Sequence, residues 1–276
     1  MATPAQFSLC RADPGPSVPT TSVPKRRKPP REDYKVGWVC ALHIELTAAQ
    51  EMLDDELEEI DHDVNDTNIY TLGRISEHNI VIACLLAGQV GTNSAAAAAF
   101  QMKSSFPSIQ FCLMVGIGGG VPSEEADIRL GDVVVSQPCA DHGGVVQYDF
   151  GKVTPEGFKR TGHLNDPPTI LLNAVTNIQA NHIRKRSRLS EYISELSSLP
   201  MFARASAGPE LLFEPNYDHV GGAACENCSK MKLRRRPLRR DEEIVIHYGT
   251  VASGNQVMRD GQPKTRGLTS LIIKQL

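Results

Sequence analysis

At 276 residues with 41% hydrophobic content, the chain is long enough for one large domain or two small ones with a hydrophobic core. Its formal net charge of −3 gives no general attraction to nucleic acid. No apolar run reaches the roughly 18 to 20 residues that a membrane-spanning helix needs, which argues against a protein with such helices.

The N-terminal 33 residues predict a disordered leader. They contain seven prolines and almost nothing apolar to bury. The basic run at 24–31 has the composition of a nuclear localisation signal, although such runs are also common in disordered leaders. The odd number of cysteines, seven, and the position of several of them in apolar runs are typical of reduced thiols. We therefore expect a cytoplasmic protein and leave a nuclear location open.

The ordered chain is predicted to begin at Tyr34 with a strand that runs directly into a helix. Residues 34–41 have the composition of a buried strand, and residues 42–53 carry apolar side chains at spacings of three and four. Two β-rich runs at 68–75 and 78–87, joined by a short polar turn, then predict a hairpin.

A second strand, helix and strand follow and indicate a parallel crossover. The glycine loop at 88–91 leads into an alanine-rich helix at 94–105 and a strand at 111–115. Four of the next five residues, 116–120, are glycine, which favours a ligand close to the backbone or positive φ angles. With a second buried strand at 131–136, this run predicts the floor of a small-molecule site. A tight strand exit packed on a helix is the alternative.

The C-terminal half is predicted to hold helices at 169–183 and 191–196, a polar and basic insertion at about 200–242, and a last strand at 243–253. The basic residues at 230–240 have no aromatic residues between them for base stacking. We therefore predict a solvated loop there.

Cysteine spacing within the insertion raises the question of zinc. Cys225-x-x-Cys228, with His219 before it and His247 after it, could offer four ligands. A single Cys-x-x-Cys is half a site, and both histidines have other possible roles. We predict a flexible surface insertion without metal and leave zinc binding open.

Five segments in this order carry a resemblance to a known family. They are residues 39–45, 87–93, 115–121, 130–136 and 246–255. The chain resembles the purine and uridine phosphorylase superfamily, in the branch of methylthioadenosine and adenosylhomocysteine nucleosidases. It is more closely similar to the fungal nucleoside-phosphorylase-like domains of NACHT, ankyrin and tetratricopeptide receptor proteins. The resemblance implies an α/β fold of three layers over residues 34–262, with a central mixed sheet flanked by helices.

The resemblance also implies a chemistry, cleavage of the N-glycosidic bond of a purine nucleoside or nucleotide. Glu45 would orient the attacking water, whereas by itself it is an ordinary carboxylate in a first helical turn. The substrate-binding positions implied are Gly88, Gly91, Thr92, Gly116, Gly118, Gly119, Ser253, Gly254, Asn255, Val257 and Met258. The loop at 88–93 has no arginine to hold phosphate, which favours water as the nucleophile. No cofactor is expected, apart from inorganic phosphate if the reaction is phosphorolysis.

The sequence after Gln262 departs from the family pattern. The family has a Met-Glu-Ala strand that holds the ribose, an aspartate that protonates the purine, and a closing helix, and residues 263–276 contain neither motif. We therefore expect a truncated chain with a divergent tail, without the last strands and helix. Two functions stay open: a nucleoside-binding domain with ancestral cleavage activity, and an inactive sensing or interaction domain of a fungal receptor-like protein. We expect a homo-oligomer in either case.

Overall fold

The structure is a computed structural model that describes most of the chain. The described residues are 28–61, 64–123, 126–139, 142–221, 225–239, 244–256 and the backbone of 271–274. Most of the predicted leader, the first part of its basic run, and both Val257 and Met258 lie outside them. Within the described ranges, no helix has the length and apolar character needed to cross a membrane.

The first sheet is mixed and has β1 near its centre. Its strands are β1 (Tyr34–Cys40), β2 (Asp55–Glu56), β3 (Tyr70–Ile75), β4 (His78–Cys84) and β5 (Phe111–Met114). β1 pairs in parallel with β4 on one side and β5 on the other, while β3 is antiparallel to both β4 and β2. The predicted hairpin is confirmed as β3 and β4, with Ser76 at a φ of 52° in the turn. The parallel crossover from β4 to β5 is confirmed as well.

Helices cover both faces of this sheet. The described residues form four α-helices, α1 (His43–Glu51), α2 (Thr92–Ser105), α3 (Thr169–Ile183) and α4 (Leu189–Leu196), and it is α1 and α2 that pack on this sheet. Side chains alternate along β4: Ile80 and Ile82 pack with residues of α1, whereas Val81 and Ala83 pack with residues of α2. The predicted three-layer α/β arrangement is therefore confirmed.

The second sheet is built around a strand near the end of the described chain, which pairs with strands from the middle of the sequence. Its strands are β6 (Gly118–Gly120), β7 (Val133–Ser136), β8 (Val145–Gln147), β11 (Ile246–Ser253) and β12 (Leu271–Lys274). The first half of β11 pairs with β7, its second half pairs with β8, and β12 lies on its other side. A separate antiparallel hairpin is formed by β9 (Gly151–Thr154) and β10 (Gly157–Arg160).

Two features of the second sheet differ from the sequence prediction. The prediction that 243–253 is the last strand is wrong, because β12 follows it, in an apolar run of high β propensity. Part of the glycine run is also a strand rather than a turn, since β6 pairs antiparallel with β12. The strand predicted at 131–136 and the helix at 169–183 are confirmed, and α4 begins two residues before its predicted start.

We expect Ile82→Ala to lower the free energy of unfolding by about 2–5 kcal/mol, because Ile82 is fully buried and truncation leaves a cavity between the sheet and α1. Chemical denaturation followed by circular dichroism measures this loss. The matched control is Ile183→Ala at the exposed end of α3, which should change the free energy by less than about 0.5 kcal/mol. Equal losses in both variants would contradict the position of the core.

Candidate functional site

Glu45 joins the first strand, the first helix and the glycine run. It lies in the first turn of α1, and its side chain is buried, with 7% exposure. Its Oε2 accepts hydrogen bonds from the amides of Ala41 (2.6 Å) and Leu42 (3.0 Å), which precede the helix. Its Oε1 accepts one from the amide of Ile117 at 2.6 Å. One carboxylate thus satisfies backbone donors from two neighbouring strand ends.

Gly116 is glycine because Glu45 lies against it. A Cβ at this position would overlap the carboxyl group of Glu45. At the other end of the run, a Cβ on Gly120 would overlap the side chain of Ile128. Neither glycine has a positive φ. Contacts within the chain therefore account for these two glycines, where the sequence suggested a ligand or positive φ.

A second group of residues surrounds Asn255, just after β11. Its side-chain Oδ1 accepts a hydrogen bond from the backbone amide of Asn93 at 3.2 Å. Its own backbone amide donates a hydrogen bond to the carboxylate of Asp149 at 2.6 Å. Gly91 precedes α2 with a φ of 107°, and a Cβ there would lie 2.8 Å from Asn255 Oδ1. The glycine loop before α2 and the end of β11 therefore meet at Asn255.

A third group is centred on Asp132, whose side chain is only 1% exposed. Arg239 donates two hydrogen bonds to its carboxylate, at 2.7 and 2.6 Å, and His247 Nε2 lies 2.9 Å from it. The amides of Arg129 and Val245 also donate to it. Burial acts to raise the pKa of Asp132, but these hydrogen bonds outweigh burial and hold the pKa well below its usual range.

The basic segment at 230–240 is part of this group rather than a solvated loop, and that prediction is wrong for two of its arginines. Besides Arg239, Arg236 makes ion pairs with Asp127 at 3.0 Å and Glu210 at 3.3 Å. The side chains of Arg236 and Arg239 are only 17% and 23% exposed. Their acidic partners Asp127 and Asp132 lie more than 100 residues away in the sequence, where no local pattern could indicate them.

A cleft of about 1010 Å³ lies beside the glycine run. One wall comes from the glycine run and the segment that follows it to β7, and the other comes from the basic insertion. The described lining residues include Gly116, Gly118, Gly120, Asp132, Leu212, Cys225 and Arg236. Within the described ranges, one group of side chains could hold a metal ion, namely His219, Cys225 and Cys228. His247, the fourth ligand that the sequence suggested, is instead bound to Asp132.

Comparison with known proteins identifies the family. The family model described as the Phosphorylase superfamily matches residues 35–273, which is most of the chain. The chain belongs to the phosphorylase superfamily. A nucleotide-binding leucine-rich repeat (NLR)-like protein of Hyaloscypha variabilis is 41% identical over 242 residues, which are 85% of this chain. The matched part is 23% of that relative's own length.

Solved structures of the superfamily are similar in fold. A candidate 5′-methylthioadenosine/S-adenosylhomocysteine nucleosidase from Borrelia burgdorferi, bound to adenine, has a TM-score of 0.51 at 18% identity, covering 87% of this chain and 76% of that one. An S-adenosylhomocysteine nucleosidase from Streptococcus pyogenes, in complex with 5-methylthiotubericidin, has a TM-score of 0.50 at 16% identity, covering 88% and 74%. The phosphorylase-superfamily fold expected from the sequence is therefore confirmed.

The predicted site residues of this superfamily member fall into separate groups. Glu45 contacts Gly116, while Gly91 contacts Asn255, and no hydrogen bond recorded for the described residues joins the two groups. The other predicted positions have distinct surroundings. Gly88 has a φ of 79° and open space around it, Thr92 begins α2, and Gly118 and Gly119 lie in β6. Ser253 pairs with Gln147 of β8, and Gly254 follows it.

The group around Asp132 was missed by sequence analysis. A signal for it exists in two of the matching segments, since Gly131 and Asp132 directly precede β7 and His247 is the second residue of β11. The two strands pair in parallel with Ile246 opposite Val133, which places the aspartate and the histidine side by side. Only the pairing of the strands makes this proximity visible.

We expect Gly116→Ala to lower the free energy of unfolding by about 1–3 kcal/mol, because the added methyl group overlaps Glu45 and must displace its carboxylate from Ile117. Thermal and urea denaturation measure the effect. Gly249→Ala is the matched control, since a Cβ there has nothing within 4 Å. If both variants are equally stable, the contact between Glu45 and Gly116 does not constrain the backbone.

We expect Asp132→Asn to cost about 3 kcal/mol at pH 7, because Arg239 then loses its buried counter-charge. The folded-state pKa of Asp132 lies below the usual value of about 3.9. Its stabilising contribution is therefore fully present above that value and is lost as the pH falls towards the folded-state pKa. The stability gap between wild type and variant should narrow between about pH 5 and pH 2.

Thermal unfolding across this pH range measures that gap. The control is Asp166→Asn, at an exposed aspartate, which should leave the acid profile of the wild type unchanged. A gap of constant size down to pH 2 would show that ionised Asp132 does not stabilise the fold.

Proposed function

We propose that residues 34–262 form a domain that binds a purine nucleoside or nucleotide and hydrolyses its N-glycosidic bond, with Glu45 orienting the attacking water. The supporting observation is the buried Glu45 carboxylate held against the glycine run at the carboxyl ends of β1 and β5. Ligands of open α/β sheets bind at this edge. Membership of the phosphorylase superfamily supplies the reaction class.

The hydrogen bonds of Glu45 leave it able to hold a water molecule. An ionised carboxylate offers about four acceptor positions, and three backbone amides use three of them. Since Oε1 accepts only the Ile117 amide among these, a water can donate to its remaining lone pair. A fixed carboxylate beside a path of glycines would place that water near the sugar and would stabilise positive charge that develops there.

The remaining predicted residues are proposed to hold the rest of the substrate. The end of β11, at Ser253, Gly254 and Asn255, would contact the base, and Val257 and Met258 would form an apolar wall beside it. Gly88, Gly91 and Thr92, at the start of α2, would bind polar groups through backbone amides. Hydrolysis needs no cofactor, and phosphate would take part only if the reaction were phosphorolysis.

A second candidate is a sensing or interaction domain without turnover. It is favoured by the similarity to the NLR-like protein of Hyaloscypha variabilis, of which this chain spans 23%. It is also consistent with the bonding of Glu45, because a carboxylate that satisfies one buried and two part-buried amides has a structural role whether or not water binds. For either candidate we propose self-association, for which the exposed Phe100 on α2 offers an apolar contact.

The test is release of free base by the purified 276-residue chain. Adenosine, methylthioadenosine and ATP are incubated with the protein, with and without phosphate, and the products are separated by chromatography. We expect free adenine together with the free sugar, and a loss of at least about 100-fold in rate for Glu45→Gln. Glu51→Gln, at an exposed position on the same helix, is the matched control and should retain full activity.

Each outcome separates the candidates. Release that needs phosphate and yields a sugar phosphate replaces hydrolysis by phosphorolysis. Calorimetric binding of a nucleoside without release at high protein concentration supports the sensing domain. Release that persists in a folded Glu45→Gln variant rules out the role proposed for this carboxylate.

A further inference from the structure

Two cysteines and a histidine of the basic insertion, none of them among the proposed nucleoside-binding residues, come together in the structure. The ligand atoms of His219, Cys225 and Cys228 all lie within 4.8 Å of one another. In a tetrahedral site with Zn–S of about 2.3 Å and Zn–N of about 2.0–2.1 Å, ligand atoms lie about 3.5–3.8 Å apart. Closing the group around an ion therefore requires shifts of only about 1 Å, which side-chain rotation can supply.

The backbone conformation near the ligands brings Cys225 and Cys228 close together. Residues Cys225–Asn227 form a single 3-10 turn, closed by a hydrogen bond from the Cys228 amide to the Cys225 carbonyl oxygen at 3.2 Å. Gly221, two residues after His219, has a φ of 75°, a backbone conformation that glycine adopts readily.

The loop that carries the group is closed at its base. The amide of Ser229 donates to the Tyr217 hydroxyl at 2.7 Å, which joins the residues that flank the three ligands. Further along, Phe213 and Leu233 form an antiparallel bridge. Lys232 and Glu214 form an ion pair at 3.0 Å across the same two segments. The three ligands therefore lie at the tip of a hairpin-like loop whose two sides are joined by these contacts at its base.

This loop has almost no hydrophobic core to stabilise it. Among the described residues from 200 to 239, Cys228 is the only buried one. Apolar side chains of the segment, such as Met231 and Leu238, are almost fully exposed. Small segments that cannot bury enough apolar surface commonly depend on a metal ion or disulfides for their structure. The single buried residue here is also a ligand of the candidate site.

We propose that His219, Cys225 and Cys228 bind one structural Zn²⁺ ion that orders the basic insertion. Two thiolates and an imidazole form a donor set that suits zinc. The fourth position is left for water or a further ligand, and the intervening residues 222–224, Gly-Ala-Ala, have no side chain that could fill it. The site is independent of the proposed nucleosidase chemistry, and its test does not use activity.

The proposed ion would also shape one wall of the cleft. Cys225 lines the cleft together with Leu212, and Arg236, which follows the same loop, pairs with Asp127. An ordered loop would hold Arg236 and Arg239 near their acidic partners. Zinc would thereby connect the order of the insertion to the position of the cleft wall.

The first measurement uses the full chain, reduced, stripped of metal with a chelator and titrated with Co²⁺. We expect one equivalent to bind with a thiolate charge-transfer band and the visible bands of tetrahedral cobalt, and Zn²⁺ to displace it. Cys225→Ser and Cys228→Ser should each weaken zinc binding by at least about 100-fold, and His219→Ala by at least about 10-fold. The matched controls, Cys139→Ser and His182→Ala at exposed positions, should bind as the wild type does.

Limited proteolysis of the wild-type chain provides a measurement that does not depend on the folding of a variant. Chelation should speed cleavage between residues 211 and 234, and added Zn²⁺ should restore protection. The proposal is overturned if the reduced chain gives no thiolate-to-cobalt band, if cleavage is the same with and without zinc, or if Cys225 and Cys228 form a disulfide that excludes metal even in the presence of reductant.

Discussion

Three hydrogen bonds from backbone amides to the Glu45 carboxylate are the constraint on which the edge of the first sheet depends, at the carboxyl ends of β1 and β5. Parallel strands β1 and β5 end side by side, and there the amides of Ala41, Leu42 and Ile117 have no strand partner. A buried amide without an acceptor, such as that of Ala41, would cost about 1–3 kcal/mol, and the part-buried amides of Leu42 and Ile117 would cost less. One carboxylate satisfies all three, and its bulk requires glycine at position 116. The course of the chain beyond β5 therefore follows from a side chain at the start of α1.

Asp132 is a buried charge on the same wall of the cleft as the glycine run, and it binds the basic insertion that forms the other wall. Asp132 loses its hydration on burial, and this cost is offset only because Arg239, His247 and two amides all bind the carboxylate. The arginine arrives from the basic insertion, and the histidine from β11. One carboxylate thus joins the residue before β7 to two segments more than 100 residues further along the chain. The glycine run contacts Glu45 at Gly116 and lines the cleft together with Asp132.

The features that sequence predicts well are those determined by neighbouring residues. The first strand and helix, the β3–β4 hairpin and α3 all have periodicities that do not depend on distant parts of the chain. Glu45 was indicated by family resemblance, but its partner Ile117 lies 72 residues away. Arg236 and Arg239 resembled a solvated run because their counter-charges are more than 100 residues distant. The pairing of β12 was missed because short strands depend on the edge that they meet.

Glu45 can serve the fold and a reaction at the same time, because both uses need the same fixed carboxylate. Three amides hold the group in one orientation, and a water bound to its remaining lone pair would be held equally firmly. In a sensing domain with the same fold, the carboxylate would only bind the three backbone amides and would take no part in a reaction. Hydrolysis needs one further element, a group that protonates the departing purine. The physical difference between an enzyme and a sensor built on this frame is therefore one proton donor in the cleft, not a different fold.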